Sequence, residues 1–140
     1  MITAKGRPRQ LHVLRMLPGE DVRAGLERWC METALEAGCV MSAVGSVAPA
    51  VLRMAGRNEG CTLTGNMEVC ALSGTLSRHG VHLHMAVADA QGRMHGGHLL
   101  PGSMVRTTLE VVVQEIGGLA LHRRHDARSG YPELFPDERP

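Results

Sequence analysis

Three histidines, His82, His84 and His98, flank one short turn in Val81-His82-Leu83-His84-Met85-Ala86-Val87-Ala88-Asp89-Ala90-Gln91-Gly92-Arg93-Met94-His95-Gly96-Gly97-His98. Neutral imidazole nitrogen suits zinc, copper, iron or nickel, and three protein ligands leave a coordination position open for water or substrate. The backbone decides whether the rings converge. Side chains at i and i+2 of a strand point the same way, so His82 and His84 share a face. If Ala90-Gln91-Gly92 is a three-residue loop with Gly92 in the left-handed position, Asp89 faces Arg93. Counting outward from that pair, Ala86 faces Gly96 and His84 faces His98, with His82 diagonal to both. Leu83, Met85, Val87 and Leu99 then take the opposite, core-facing parity, and His95 falls with them rather than with the cluster. A two-residue loop would slip the register by one and send His98 to the other face. The residues alone leave two readings: a divalent-metal site, or histidines that pair with backbone carbonyls or line a subunit contact.

Other chemistry is sparse. A metal-bound water would call for a general base, and Glu68 and Glu110 are candidates only if one lies near the histidines. The plainer roles, an exposed position on a valine-rich strand for Glu110 and a subunit salt bridge for Glu68, are preferred here. No nucleophile motif, phosphate loop or dinucleotide fingerprint occurs, and Thr107 and Thr108 read as strand residues. Cys30, Cys39, Cys61 and Cys70 form no C-x-x-C and no zinc-finger spacing, so they read as separate small hydrophobes, Cys30 in a helix and Cys61 in a loop. The segment Lys5-Gly6-Arg7-Pro8-Arg9 has the chemistry of an arm for a narrow A·T minor groove. Against a formal net charge of +1 there is no basic face to support it, and a solvated N-terminal lead is the preferred reading of Lys5, Arg7 and Arg9. His122-Arg123-Arg124-His125 reads as an edge-strand guard against aggregation.

The elements that must position these residues follow from pattern. A chain of 140 residues, 44% hydrophobic, has the size and apolar content of one domain, and with one Phe, one Tyr and one Trp its core must be Val, Leu, Ala and Met. Residues 11–16 read as a strand stopped by Pro18-Gly19. Glu20 and Asp21 then open a helix, apolar at Val22, Leu26, Trp29, Cys30 and Thr33, that Gly38 is expected to end. Residues 40–44 and 50–55 read as short strands and residues 57–60 as a polar loop. Residues 67–77 read as a strand bulged at Ser73-Gly74. Residues 105–113 give the strongest strand signal, 119–123 a last strand, and a proline-containing polar tail follows. One helix among turn-linked strands means an α+β domain, an antiparallel sheet with a principal helix packed on it. The expected division is an N-terminal arm over 1–8, a single domain over 9–135 and a tail over 136–140. The N-terminus lacks an apolar leader and no apolar run reaches membrane-spanning length, so a reducing cytoplasm is the expected location.

Residues 72–77 (Leu-Ser-Gly-Thr-Leu-Ser), 80–84 (Gly-Val-His-Leu-His), 96–100 (Gly-Gly-His-Leu-Leu) and 105–111 (Val-Arg-Thr-Thr-Leu-Glu-Val) resemble the motifs of the PPC domain, the plants-and-prokaryotes-conserved domain, in its stand-alone prokaryotic form. Pro18-Gly19-Glu20-Asp21, Ser42-Ala43-Val44-Gly45-Ser46 and Ser129-Gly130-Tyr131-Pro132-Glu133-Leu134 also fit, and the likeness spans about residues 9–135. The resemblance implies a compact α+β fold assembled as a homotrimer. It also implies a divalent metal, zinc by expectation, at the His-x-His and Gly-Gly-His positions, here His82, His84 and His98. It further implies a DNA-associated or regulatory role. The alternative is a metal-dependent enzyme or small-molecule binder with its histidine site at a subunit interface, and the sequence leaves catalysis open. Where plant members carry Gly-Arg-Phe-Glu-Ile, this chain has Gly65-Asn66-Met67-Glu68-Val69, so partner contacts built on that segment are not implied.

Overall fold

The computed structural model describes residues 1–139. Its elements are β1 (Arg7–Met16), α1 (Val22–Glu32), β2 (Gly38–Val47), β3 (Ala50–Arg53), β4 (Cys61–Leu63), β5 (Met67–Leu76), β6 (His82–Ala88), β7 (Met94–Leu99), β8 (Val105–Gly117), β9 (Leu119–Asp126) and β10 (Tyr131–Glu138). Eight strands form one antiparallel sheet in the order β1-β8-β2-β5-β6-β7-β3-β4, and β9 with β10 forms a separate ribbon. The α+β reading therefore holds, with one short helix on a mostly β domain.

The helix starts because Asp21 caps it: one carboxylate oxygen accepts from the Ala24 N–H at 2.9 Å, and the other accepts from the Gly102 N–H. An N-cap of this kind contributes about 1 kcal/mol. Val22, Leu26 and Cys30 point into the core, none more than 1% exposed. The helix ends earlier than expected. Thr33 is its C-cap, its hydroxyl donating to the Trp29 carbonyl, and Ala34 takes the left-handed turn at φ 52°. Gly38 instead opens β2, where a Cβ would press on Leu35 and the Gln114 carbonyl, so close packing is what this position needs.

The core is built from the residues whose strand parity demanded it. Leu83, Met85, Val87 and Leu99 are at most 2% exposed, which stabilises the hairpin by about 1.5–3 kcal/mol for each side chain.

Several boundaries move. β1 begins at Arg7, so the expected edge at residue 9 lies inside a strand, and the expected tail over 136–140 overlaps β10. Cys61 lies in β4 rather than in a loop. The bulge in β5 sits at Cys70, between Val69 and Ala71, while Ser73-Gly74 keeps continuous register with His84-Leu83. Gly74 serves a close approach: at φ 148° an added Cβ would collide with the His82 carbonyl oxygen.

Candidate metal centre

The turn closes in the three-residue form. The Asp89 N–H donates to the Arg93 carbonyl, the Gly92 N–H donates to the Asp89 carbonyl, and Gly92 adopts φ 75°. The register that follows pairs Ala88 with Met94, Ala86 with Gly96 and His84 with His98. Extending the row across neighbouring strands gives Ser73, His84, His98 and Arg53 side by side, with Thr75 opposite His82 one step along. Residues directly opposite in a ladder share a face. Local turn chemistry therefore brings His82, His84 and His98 together.

The three rings offer one nitrogen each within 4.8 Å of one another. Nε2 of His82 and Nε2 of His84 face each other at 3.3 Å. Two zinc–nitrogen bonds of about 2.0–2.1 Å meeting at a tetrahedral angle separate their nitrogens by about 3.3 Å, so this pair already has the spacing of one edge of such a site. His82 and His98 are both held below the ordinary imidazole pKa. Burial is the main cause, followed by neighbouring histidines and arginines, and His98 falls to about 4. Neutral rings are the form that ligates metal. The donor set fits a divalent ion of borderline softness. His95 stands apart on the opposite face, its Nε2 3.6 Å from the Asp89 carboxylate.

Sequence reasoning missed the basic residues around the cluster. Arg23, on the first turn of α1, donates to the Leu99 carbonyl at 2.9 Å, pairs with Glu27 at 3.0 Å and places Nη1 3.3 Å from His98 Nε2. That last contact cannot coexist with a metal on the same nitrogen, which has one lone pair. Arg53 shares the His98 row from β3. Arg123 comes from the ribbon, its Nη2 donating to Thr75 Oγ1 at 2.7 Å, so it is not an edge guard but a wall of the pocket beside the histidines. Burial pulls its pKa down, Glu133 opposes that, and Arg23 adds to it. The ribbon is held there by Ser77, whose hydroxyl donates to the Leu121 carbonyl at 2.6 Å, and by the Leu121 N–H on the Glu36 carbonyl. Arg23, Arg53, Arg123, Glu27, Glu133 and Tyr131 line a pocket of about 400 Å³ that opens beside His82 and His98.

Glu68 pairs with Ala88 at the turn end of β6, and Glu110 lies on β8 opposite Arg15 and Val44, so neither reaches the histidines. Cys30 is sealed in the core, where burial, with Glu27 adding, pushes its thiol up to about 12. Lys5, Arg7 and Arg9 lie at or beside β1, at the other edge of the sheet. The Lys5 N–H donates to Glu138, Arg7 pairs in register with Gly117, and Arg9 forms an ion pair with Glu115 at 3.0 Å.

The chain matches the model of the Plants and Prokaryotes Conserved (PCC) domain over residues 3–117 and belongs to that family. It is 46% identical over 138 residues to the bifunctional protein GlmU of a Synechococcus strain, a match covering 94% of this chain and 22% of that protein. The chain thus spans about a fifth of the length of the curated relatives it matches. A solved structure from Salmonella enterica superposes with a TM-score of 0.92 at 41% identity, covering 97% of this chain and 98% of the other. A metal-containing protein from Archaeoglobus fulgidus superposes at 0.85 with 25% identity, covering 96% of this chain and 99% of that one. No helix among the described residues is long and apolar enough to cross a membrane.

Proposed function

We propose that this PCC-domain protein binds one divalent metal ion, zinc, through His82, His84 and His98, and that it works as a homotrimer. The observation that carries the metal reading is the 3.3 Å facing of two imidazole nitrogens, with the third ring in the same ladder row. An ion held there would act as a Lewis acid with a coordination position left for an external ligand. The chain's own residues do the rest: β6 and β7 hold the rings, Arg23 competes for His98 when the ion is away, and the neighbouring pocket admits a small molecule. The metal-containing relative from Archaeoglobus supports this reading. The test is metal analysis and zinc titration of protein purified without a histidine tag. One ion per chain is expected, with affinity falling at least about 100-fold on His84→Ala. Metal-free protein whose zinc response ignores His84→Ala would refute it.

The trimer is supported by an apolar outer face. Leu11 and Val13 on β1 and Met41 and Val44 on β2 are each 59% exposed or more, a cluster that soluble monomers seldom leave open. Light scattering at micromolar protein should give three times the 15.1 kDa chain mass, and a monomer mass would refute it. Free thiols at all four cysteines suit a reducing compartment, and we place the protein in the cytoplasm.

A second reading, a small-molecule binder or metal-dependent enzyme, is favoured by the pocket that opens onto the histidines. The regulatory or DNA-associated role rests on the family alone.

A further inference from the structure

The pocket beside the histidines has an unbalanced set of charges. Three guanidiniums, Arg23, Arg53 and Arg123, line it against two carboxylates, Glu27 and Glu133. Glu27 is already engaged by Arg23 at 3.0 Å. Neither Arg53 nor Arg123 has a carboxylate oxygen within 4.0 Å among the described residues. Arg53 sets its guanidinium 5.9 Å from the centre of the Tyr131 ring. Among the described residues the Arg123 side chain bonds only to the neutral Thr75 hydroxyl, and its Nε is buried with no hydrogen-bond partner. Glu133 acts on Arg123 only from beyond ion-pair distance, and a half-buried guanidinium with no carboxylate in contact is a costly arrangement to keep for packing alone.

We infer that this pocket binds a small oxyanion, a carboxylate or phosphate group, held by Arg53 and Arg123 with Arg23 beside His98. The inference rests on the metal reading for the ion that the anion would meet. A divalent cation on the three histidines raises the positive excess of the lining from one charge to three, and an anion offsets it. Taking up that ion on His98 Nε2 also frees Arg23 Nη1 from its 3.3 Å contact, leaving a donor at the pocket wall. Guanidinium forks match the paired oxygens of carboxylate and phosphate in a way that ammonium groups do not. The three arginines come from a helix, a sheet strand and the ribbon, so they surround the space instead of forming a surface stripe. The volume of about 400 Å³ is at the small end for ligand sites and suits a compact metabolite rather than a polymer.

Calorimetric titration of the zinc-loaded full chain with inorganic phosphate and, separately, with succinate tests this. At least one anion should bind, about tenfold or more weakly in Arg123→Gln and in Arg53→Gln, while the zinc affinity of both variants stays within about threefold of the parent. Arg123→Lys keeps the charge and stem and should recover part of the binding. Arg53→Gln keeps the test decisive if Arg123→Gln fails to fold. Binding of phosphate alone identifies a phosphate-bearing ligand, and of succinate alone a carboxylate. Zinc binding with no anion binding, or anion binding indifferent to both arginines, overturns the inference and leaves the metal reading standing. Failure to bind zinc removes the metal reading. The same titrations on metal-free protein then decide the pocket: arginine-dependent binding sustains it and none ends it.

Discussion

The two ends of the β6–β7 hairpin carry similar residues in opposite states of satisfaction. At the turn, the Asp89 carboxylate accepts from the N–H groups of Gln91 and Arg93 and from Arg93 Nε, with His95 at 3.6 Å. Burial works against its ionisation, yet these donors outweigh it and hold the carboxyl at about 2. At the far end, two imidazole nitrogens face each other and Arg123 keeps an orphaned Nε. The first end is closed on itself and serves the fold. The second gathers histidines and arginines around one pocket. Among the described residues His12 Nε2 is the other buried side-chain atom without a hydrogen-bond partner, but it stands 3.6 Å from the Glu115 carboxylate, so the contrast at the hairpin supports the site proposed above.

The sharpest way to break the contrast is to shorten the turn. Deleting Gln91 would convert the three-residue loop to two residues and slip the register, turning His98 and the buried Leu99 to opposite faces. Zinc binding should be lost, and exposing Leu99 should cost about 2–5 kcal/mol in denaturant unfolding. Retention of both would mean that the strands, not the turn, set the pairing. Next in size is Gly74→Ala, which drives a Cβ into the His82 carbonyl oxygen. It should destabilise the protein by about 2–4 kcal/mol and loosen zinc binding with it, read by unfolding and titration together.

The two ends should also separate by pH. The folded His98 pKa of about 4 lies below its ordinary 6.5, so the folded state binds fewer protons in that interval. The stability it contributes is complete above pH 6.5 and is lost as pH falls toward 4. Metal-free protein should melt progressively lower across this window, and His98→Gln should flatten the slope. Asp89, lowered from 3.8 to about 2, acts in a separate window, its contribution present above 3.8 and lost as pH falls through 2. Asp89→Asn should change the acid limb below pH 4 and leave zinc affinity in place. A coincident response of the two variants would erase the distinction between the ends.

The smallest expected effect lies at the far edge of the sheet. Arg7 is committed to β1 and Arg9 to Glu115. The double change Arg7→Ala, Arg9→Ala should therefore leave binding to A·T-rich and G·C-rich duplexes equal and weak. A salt-sensitive A·T preference that the double change abolishes would restore the minor-groove reading and place function at the edge as well.

The chain's local pattern reduced the histidine cluster to one condition, the three-residue turn that the structure shows. Asp89, Gly92 and Arg93 specify the turn, the turn specifies the register, and the period of two assigns His82, His84 and His98 to one face and Leu83, Met85, Val87 and Leu99 to the other. The helix start was equally legible, because a cap acts across three residues. Its end was not: Thr33 and Ala34 carry no strong stop signal, and what crowds Gly38 is the Leu35 side chain together with the neighbouring strand β8. β4 and β10 escaped notice because each is a strand by virtue of its partner, Cys61 opposite Leu52 and Tyr131 opposite Asp126. The arginines show the same division most clearly. Arg23, Arg53 and Arg123 stand on α1, β3 and β9, and nothing in their spacing along the chain links them. Their convergence on the histidines follows from the strand order β6-β7-β3, from the capped helix reaching the Leu99 carbonyl, and from the ribbon pinned through Ser77. Short-range hydrogen-bond geometry can be read from neighbouring residues, whereas the placement of charge around a site depends on chain crossings that only the packed core decides.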